Sequence, residues 1–269
     1  CSWNKKINMC GINGFIDKTG KKDLKNSIQQ MNKSIFHRGP DDSGVWVNDK
    51  LGMGMQRLSI IDLNLGNQPM HNPSNESTIV FNGEIYNYLI LRGKLEKKGY
   101  RFNTNSDTEV ILKMYQEFGV DSFRMLDGMF AFSIYDSIMN KIYCVRDFFG
   151  EKPFYYFSNN KLIAWSSELK SLFPLFENKP SIDSEALSLY FRLTYIPAPF
   201  TIYDGVYKLE PNHYLSVDLG NYEIIKNKIE HHFETKKYSS KKQAIQSTHD
   251  LVMESVNSRM LADVPLASF

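Results

Sequence analysis

Two periodicities alternate along the chain. Leu24, Ile28, Met31 and Ile35 recur at spacings of four, three and four, which puts one apolar stripe on a helix that ends before the Gly39-Pro40 breaker. Ahead of it, residues 9–15 (MCGINGF) are an apolar run with two glycines, the pattern of a buried strand entered by a turn. β-like runs follow at 45–47 and 52–61, and a strand at 78–81 runs into Asn82-Gly83, a tight-turn dipeptide. Helices are predicted at 88–98 and from Ser106, where the Ser-x-x-Glu spacing to Glu109 has the form of a capping box and Val110, Met114 and Phe118 supply the apolar face.

Aromatic and β-branched runs at 130–136, 141–146, 154–157 and 162–166, separated by short polar turns, predict an antiparallel meander. With no regular βαβ alternation, the region up to about residue 175 is expected to be a layered α+β unit. Pro180 and a helix start at Ser181 or Asp183 mark 176–183 as a linker. Beyond it come a helix carrying Leu187, Tyr190 and Phe191, a Pro-bearing loop at 196–199, a strand at 213–217 and a long helix at 241–260.

The 269 residues exceed the usual size of one domain, so one large core and part of a second are expected. The expected division is a leader or upstream fragment at 1–8, a first domain at 9–176, a linker region at 177–220 and the truncated start of a second domain at 221–269. The absence of Met at position 1 and the stop at Phe269 in mid-pattern lead to the expectation of a fragment, or of a stretch running past the true start.

An apolar content of 42% can build a core without disulfides. The net charge of +2 is the remainder of 32 basic and 30 acidic residues, and the lysines are scattered, which argues against nucleic-acid binding. Cysteines at the separated positions 1, 10 and 144 suit a reducing compartment and show no metal-ligand spacing. No apolar run is long enough to cross a bilayer, and CSWNKKIN lacks the hydrophobic segment of a secretion signal. The expectation is a cytoplasmic protein with no membrane partner.

Cys10 follows Met9, and a small residue after an initiator Met favours removal of that Met, which would make Cys10 the first residue. A terminal cysteine can use its own α-amine as general base: the amine, at a pKa of roughly 8, and the thiol, at about 8.5, are both poised near neutrality. Composition alone favours the other reading, a buried apolar cysteine. Cys144, on a strand, reads as core packing.

The wider pattern changes that balance. MCGINGF, HRGPDDSG, QRLSIIDL, FNGEIYNY, SDTEVIL, GMFAFSIYD, RDFFGEKPFYY and SSELKSL occur in the order seen in glutamine-hydrolysing asparagine synthetases, and the chain resembles that family from about residue 9 to 173. The later YIPAPFTIYDGVYKLEPNHYL and ADVPLASF resemble its linker and early synthetase region. The resemblance implies a class II glutamine amidotransferase of the N-terminal-nucleophile fold, a four-layer αββα sandwich, followed by the start of an α/β pyrophosphatase-type synthetase domain. The first domain would then be the glutaminase.

In the family, the residue matching Cys10 attacks the side-chain amide of glutamine, and Asn82 and Gly83 match the pair that supplies an amide and a backbone N–H to the oxyanion. By the same resemblance Arg57 takes the substrate α-carboxylate, Glu84 and Asp107 face its α-ammonium and amide end, and Leu58, Ser59, Ile60 and Ile61 line the pocket. His37 and Arg38 read as loop-shaping or supporting residues, and Arg146-Asp147 as structural or at a domain contact. Cys1 is set aside because Ser2-Trp3-Asn4 does not match the family motif on the carboxyl side of the nucleophile.

The resemblance further implies that the full-length enzyme uses ATP and magnesium to activate aspartate, through a Ser-Gly-Gly-rich loop expected after Phe269, and that it forms a homodimer. The chain itself is then expected to hydrolyse glutamine and not to make asparagine. Two other readings stand beside this one. One is a related amidotransferase acting on a sugar or cell-surface precursor, and the other a non-catalytic glutamine-binding regulatory domain.

Overall fold

Strand β1 (Gly11–Asp17) is buried along its whole length, and the two faces of its pleat explain the architecture. Ile12 and Ile16 point one way, into an apolar layer shared with Met53, Val80, Ala131 and Trp165. Phe15 points the other way, against Ile28 and Met31. The computed structural model describes residues 9–58, 62, 66–74, 76–233 and 235–260.

Around β1 a six-stranded antiparallel sheet is ordered β10-β8-β9-β1-β3-β2, formed by β2 (Asp42–Asn48), β3 (Leu51–Arg57), β8 (Tyr155–Ser158), β9 (Leu162–Ser166) and β10 (Val206–Lys208). A second six-stranded sheet, β12-β11-β7-β6-β5-β4, lies across the shared apolar layer. It comprises β4 (Met70–His71), β5 (Ser77–Ile85), β6 (Gly128–Asp136), β7 (Lys141–Arg146), β11 (His213–Asp218) and β12 (Ile224–Lys228).

Helix α1 (Leu24–Ser34) covers the outer face of the first sheet, while α2 (Tyr88–Lys97) and α3 (Asp107–Phe118) cover that of the second. Three apolar layers therefore separate four layers of secondary structure, the αββα sandwich expected from the resemblance. Gly54 on β3 lets α1 approach closely: a Cβ on Gly54 would lie 2.5 Å from Asn32 Oδ1 and 2.8 Å from Ile28 Cγ1. Helices α4 (Ser184–Leu193) and α5 (Lys241–Ser258) follow, and α5 buries none of its residues. Among the described residues no helix is long and apolar enough to cross a membrane.

Four local expectations give way to tertiary context. Asn82 and Gly83 do not form a turn; they continue β5 opposite Ala131 and Phe130, because β6 offers a full-length partner. The expected meander divides: β6 and β7 pair in the second sheet, β8 and β9 in the first. Ser106 does cap α3, accepting from the Thr108 N–H, but Glu109 turns away to accept from Asn103 and Thr104 N–H and to meet Lys113, so the reciprocal half of the capping box is missing. The segments expected as linker and second-domain start, 177–220 and 221–269, supply β10, β11 and β12 to the sheets, which carries the sandwich to Lys228.

The crossing from the second sheet to the first, between β7 and β8, is held by two charged neighbours. The Asp147 carboxylate accepts from the backbone N–H groups of Phe130, Phe149, Glu151 and Lys152. The Arg146 guanidinium donates to the carbonyls of Gly150, Lys152 and Leu209, and Asn212 N–H donates to the Asp147 carbonyl. Two of the connections between the sheets, 147–154 and 209–212, are thus pinned at one point.

Trp165 fills the layer between the sheets, 1% exposed, with its indole N–H donating to Ser133 at 3.0 Å. At ~25 cal/mol per Å², a ring of this size contributes about 4–6 kcal/mol of burial. Gly14 lies beneath it: a Cβ there would sit 2.2 Å from the ring. Gly14→Ala is expected to destabilise the fold by about 1–3 kcal/mol, since neither the ring nor β1 has room to move. Urea denaturation measures this, and an unchanged midpoint would contradict it.

Candidate active site

Antiparallel pairing of β1 with β3 sets Gly11 opposite Gln56, so the residue ahead of β1 meets the residues at the end of β3. Cys10 therefore lies against Leu58. The Leu58 N–H donates to Cys10 Sγ at 3.3 Å, and the thiol donates to the Leu58 carbonyl at 3.3 Å. The cleft around them is lined by Arg57, Gly66, Gln68, Phe81, Gly83, Glu84, Ser106, Asp107 and Thr108. It gathers the ends of β1 and β3, the last residues of β5 and the first turn of α3.

Arg57 is braced, not loose: its guanidinium donates to Asn67 Oδ1 at 3.1 Å and to the Asp62 carbonyl at 2.7 Å. Gly66 makes room for it, since a Cβ there would come within 2.4 Å of Arg57 Nη2. Asp107 opens α3 and accepts from the Ile85 N–H at 3.1 Å. Burial pushes its carboxyl up to about 7, against the bonds from the Ile85 and Thr108 N–H groups and with added repulsion from Glu84. Glu84 is raised by burial as well, opposed by the nearby Lys152 ammonium. The Cys10 thiol is pushed up by burial, while the bond to Leu58 and the charges of Arg57 and Lys152 draw it down.

Asn82 follows Val80 on the face of β5 that looks between the sheets, where Cys10 also packs. It is 1% exposed, and its Nδ2 has no hydrogen-bond partner among the described residues. Gly83 has φ 156°, and a Cβ on it would lie 2.1 Å from the Met129 carbonyl. A side chain is thus excluded next to the amide. The cleft therefore brings together a thiol, an unsatisfied buried amide donor, a cation and two carboxylates, the set needed to hold a zwitterionic amino acid and attack its side chain.

Comparison with known proteins agrees with this geometry. The sequence model of the glutamine amidotransferase domain matches residues 9–230. The chain belongs to the glutamine amidotransferase domain family. It is 39% identical over 97% of its length to asparagine synthetase [glutamine-hydrolyzing] 1 of Bacillus subtilis, covering 42% of that protein. It is 40% identical, again over 97% of its length, to a Methanocaldococcus jannaschii protein provisionally named asparagine synthetase [glutamine-hydrolyzing] 2, covering 54% of it. The chain thus spans about half the length of these relatives. Among solved structures, the glutamine phosphoribosylpyrophosphate amidotransferase of Bacillus subtilis superimposes with TM-score 0.61 at 18% identity, over 82% of this chain and 49% of that one, which supports the N-terminal-nucleophile fold.

Of the residues singled out in the sequence, the amidotransferase domain places Cys10, Arg57, Leu58, Gly83, Glu84 and Asp107 on one cleft, with Asn82 beside it. Ser59, Ile60 and Ile61 lie outside the described residues. Arg38 sits closer to Cys10 than a loop-shaping role requires: its Nε donates to the Cys10 carbonyl at 2.8 Å and its Nη1 to Glu168 at 3.1 Å. Arg146 and Asp147 are structural, as expected. Gln68 is not legible in the sequence; its side chain accepts from the Phe81 N–H and donates to Thr108, tying β5 to α3 under the cleft. Lys152 is not legible either, since a lysine in a polar loop carries no signal of burial, yet it is 6% exposed beside Cys10 and Glu84.

The Asp107 carboxyl gives the amidotransferase domain a pH signature. Its pKa rises from 3.8 in the unfolded chain to about 7, so the protonated form contributes stability fully below pH 4, and that contribution is lost as the pH rises through 7. Asp107→Asn has no such loss. The melting temperature of the variant relative to the parent is expected to climb between about pH 4 and pH 7 and to level off above. A difference that stays constant over that range would show that Asp107 is not raised.

Proposed function

We propose that the domain hydrolyses glutamine with Cys10 as an amino-terminal nucleophile, after removal of the residues through Met9. The freed α-amine takes the thiol proton, and Sγ bonds to the amide carbon of glutamine as the carbonyl π electrons move onto oxygen. Asn82 Nδ2 and the Gly83 N–H donate to that oxyanion. The amine returns the proton to the leaving nitrogen, the C–N bond breaks, and ammonia departs from a glutamyl thioester. Water, deprotonated by the same amine, then displaces Sγ to give glutamate.

Substrate orientation follows from charge. The Arg57 fork suits the α-carboxylate, and Glu84 and Asp107 suit the α-ammonium. The observation that carries the proposal is the buried Asn82 Nδ2, without a partner among the described residues, on the side where Cys10 packs. A structural amide would be expected to find an acceptor; a catalytic one waits for the oxyanion.

In the longer protein the ammonia serves ATP-dependent conversion of aspartate to asparagine, a reading supported by the named activities of relatives about twice as long. On this reading ATP and magnesium belong to the longer protein. Among the described residues no three His, Cys, Asp or Glu side chains cluster as a metal site. Free thiols at Cys10 and Cys144 suit a reducing, cytoplasmic setting.

The test is glutamate release from protein whose amino end has been read by mass spectrometry. Protein beginning at Cys10 is expected to be active and protein retaining Met9 inactive. Asn82→Ala is expected to lower kcat by roughly 100- to 1,000-fold, and Cys10→Ala to abolish turnover. Full activity with a blocked amino end would overturn the mechanism.

A further inference from the structure

Lys152 is a buried ammonium with little to hold it. Among the described residues its sole hydrogen-bond acceptor is Met9 Sδ, at 3.5 Å, and a thioether is a weak acceptor. Such a lysine normally costs stability. Its backbone, however, is fixed twice, by Lys152 N–H to the Asp147 carboxylate at 2.9 Å and by Arg146 Nε to the Lys152 carbonyl at 2.7 Å. The loop is therefore built to keep this charge against residue 9, the residue whose loss creates the amine of Cys10.

We infer that Lys152 is a positioning residue for the amidotransferase reaction: its ammonium, held against residue 9, keeps the Cys10 amine in the free-base form until it takes the thiol proton, and stabilises the thiolate that this transfer leaves. A positive neighbour lowers the pKa of an amine, so that more of it is free base near neutrality, and it favours ionisation of a thiol. Burial draws the Lys152 ammonium below the usual lysine range, and Glu84 on β5 is the counter-charge that opposes this. The other charged groups facing this corner are Asp107 from α3, Arg57 from β3, Arg38 from the turn after α1 and Glu151 from the same loop. Arg38 is held on the Cys10 carbonyl and Glu168, and Arg57 on Asn67 and Asp62, whereas Lys152 is the cation whose end group meets Met9.

The inference rests on Cys10 acting as an amino-terminal nucleophile, and it is tested by a reaction that needs no glutamine. Mature parent, Lys152→Met and Lys152→Arg proteins, each verified to begin at Cys10, are alkylated with iodoacetamide across pH 5 to 10, alongside kcat/KM for glutamine. Lys152→Met keeps side-chain volume and removes charge. Its alkylation profile and the acid limb of kcat/KM are expected to move up by about one pH unit, an approximately tenfold loss of rate at pH below the limb, with the alkaline plateau unchanged. Lys152→Arg is expected to restore the parent profile.

An unmoved acid limb in Lys152→Met overturns the inference, as does a plateau that falls by the same factor as the limb, which is the signature of a structural role. Should Lys152→Met melt early, Lys152→Gln answers the same question with a polar side chain. A parent protein that is alkylated normally yet releases no glutamate overturns the glutaminase reading alone, because the alkylation profiles still decide the role of Lys152.

Discussion

The thiol of Cys10 is gripped by the N–H and the carbonyl of one residue, Leu58, and that grip exists because β1 and β3 pair antiparallel with their ends in register. A shift by one residue would turn Ile12 and Ile16 out of the layer between the sheets and carry Cys10 away from the end of β3. The apolar sandwich therefore sets the register, and the register sets the place of the thiol. Arg38 extends the same control to the other side of Cys10 by holding its carbonyl. The remaining walls of the cleft come from elements whose own placement is decided elsewhere: β5 by its pairing with β6, α3 by its packing on the second sheet.

Polar groups in the cleft are held in place ahead of the substrate. Arg57 is oriented by the side-chain oxygen of Asn67 and the backbone carbonyl of Asp62, which fix the direction of its fork. Asp107 and Glu84 resist ionisation through burial, a resistance that a cationic substrate group would relieve. Asn82 keeps an amide donor open. Preorganisation of this kind costs folding stability and returns it when substrate and transition state arrive.

Much of this is legible from residue patterns, and the exceptions share a cause. The stripe from Leu24 to Ile35 and the alternation around β6 and β7 are intrinsic to the residues and emerge as α1 and a hairpin. Ordered motifs point to Cys10, Arg57, Asn82, Glu84 and Asp107. Asn82-Gly83 misleads because a dipeptide preference worth little is overridden by nine paired residues between β5 and β6. The division of the expected meander cannot be read because apolar runs carry no mark of which sheet they join. Glu109 has a nearer set of donors at Asn103 and Thr104 than the one its spacing suggests. Gln68 and Lys152 escape notice since only tertiary folding buries them.

The clasp formed by Arg146 and Asp147 has a consequence for biosynthesis. Its partners at Leu209 and Asn212 lie some sixty residues downstream, and the amino end lies far upstream of both. On the ribosome the chain must be extended past Asn212 before the 147–154 and 209–212 connections can be drawn together. Residues 9 and 10 thus leave the ribosome while the corner that will enclose them is still unassembled, and translation itself separates their exposure from completion of the pocket around them.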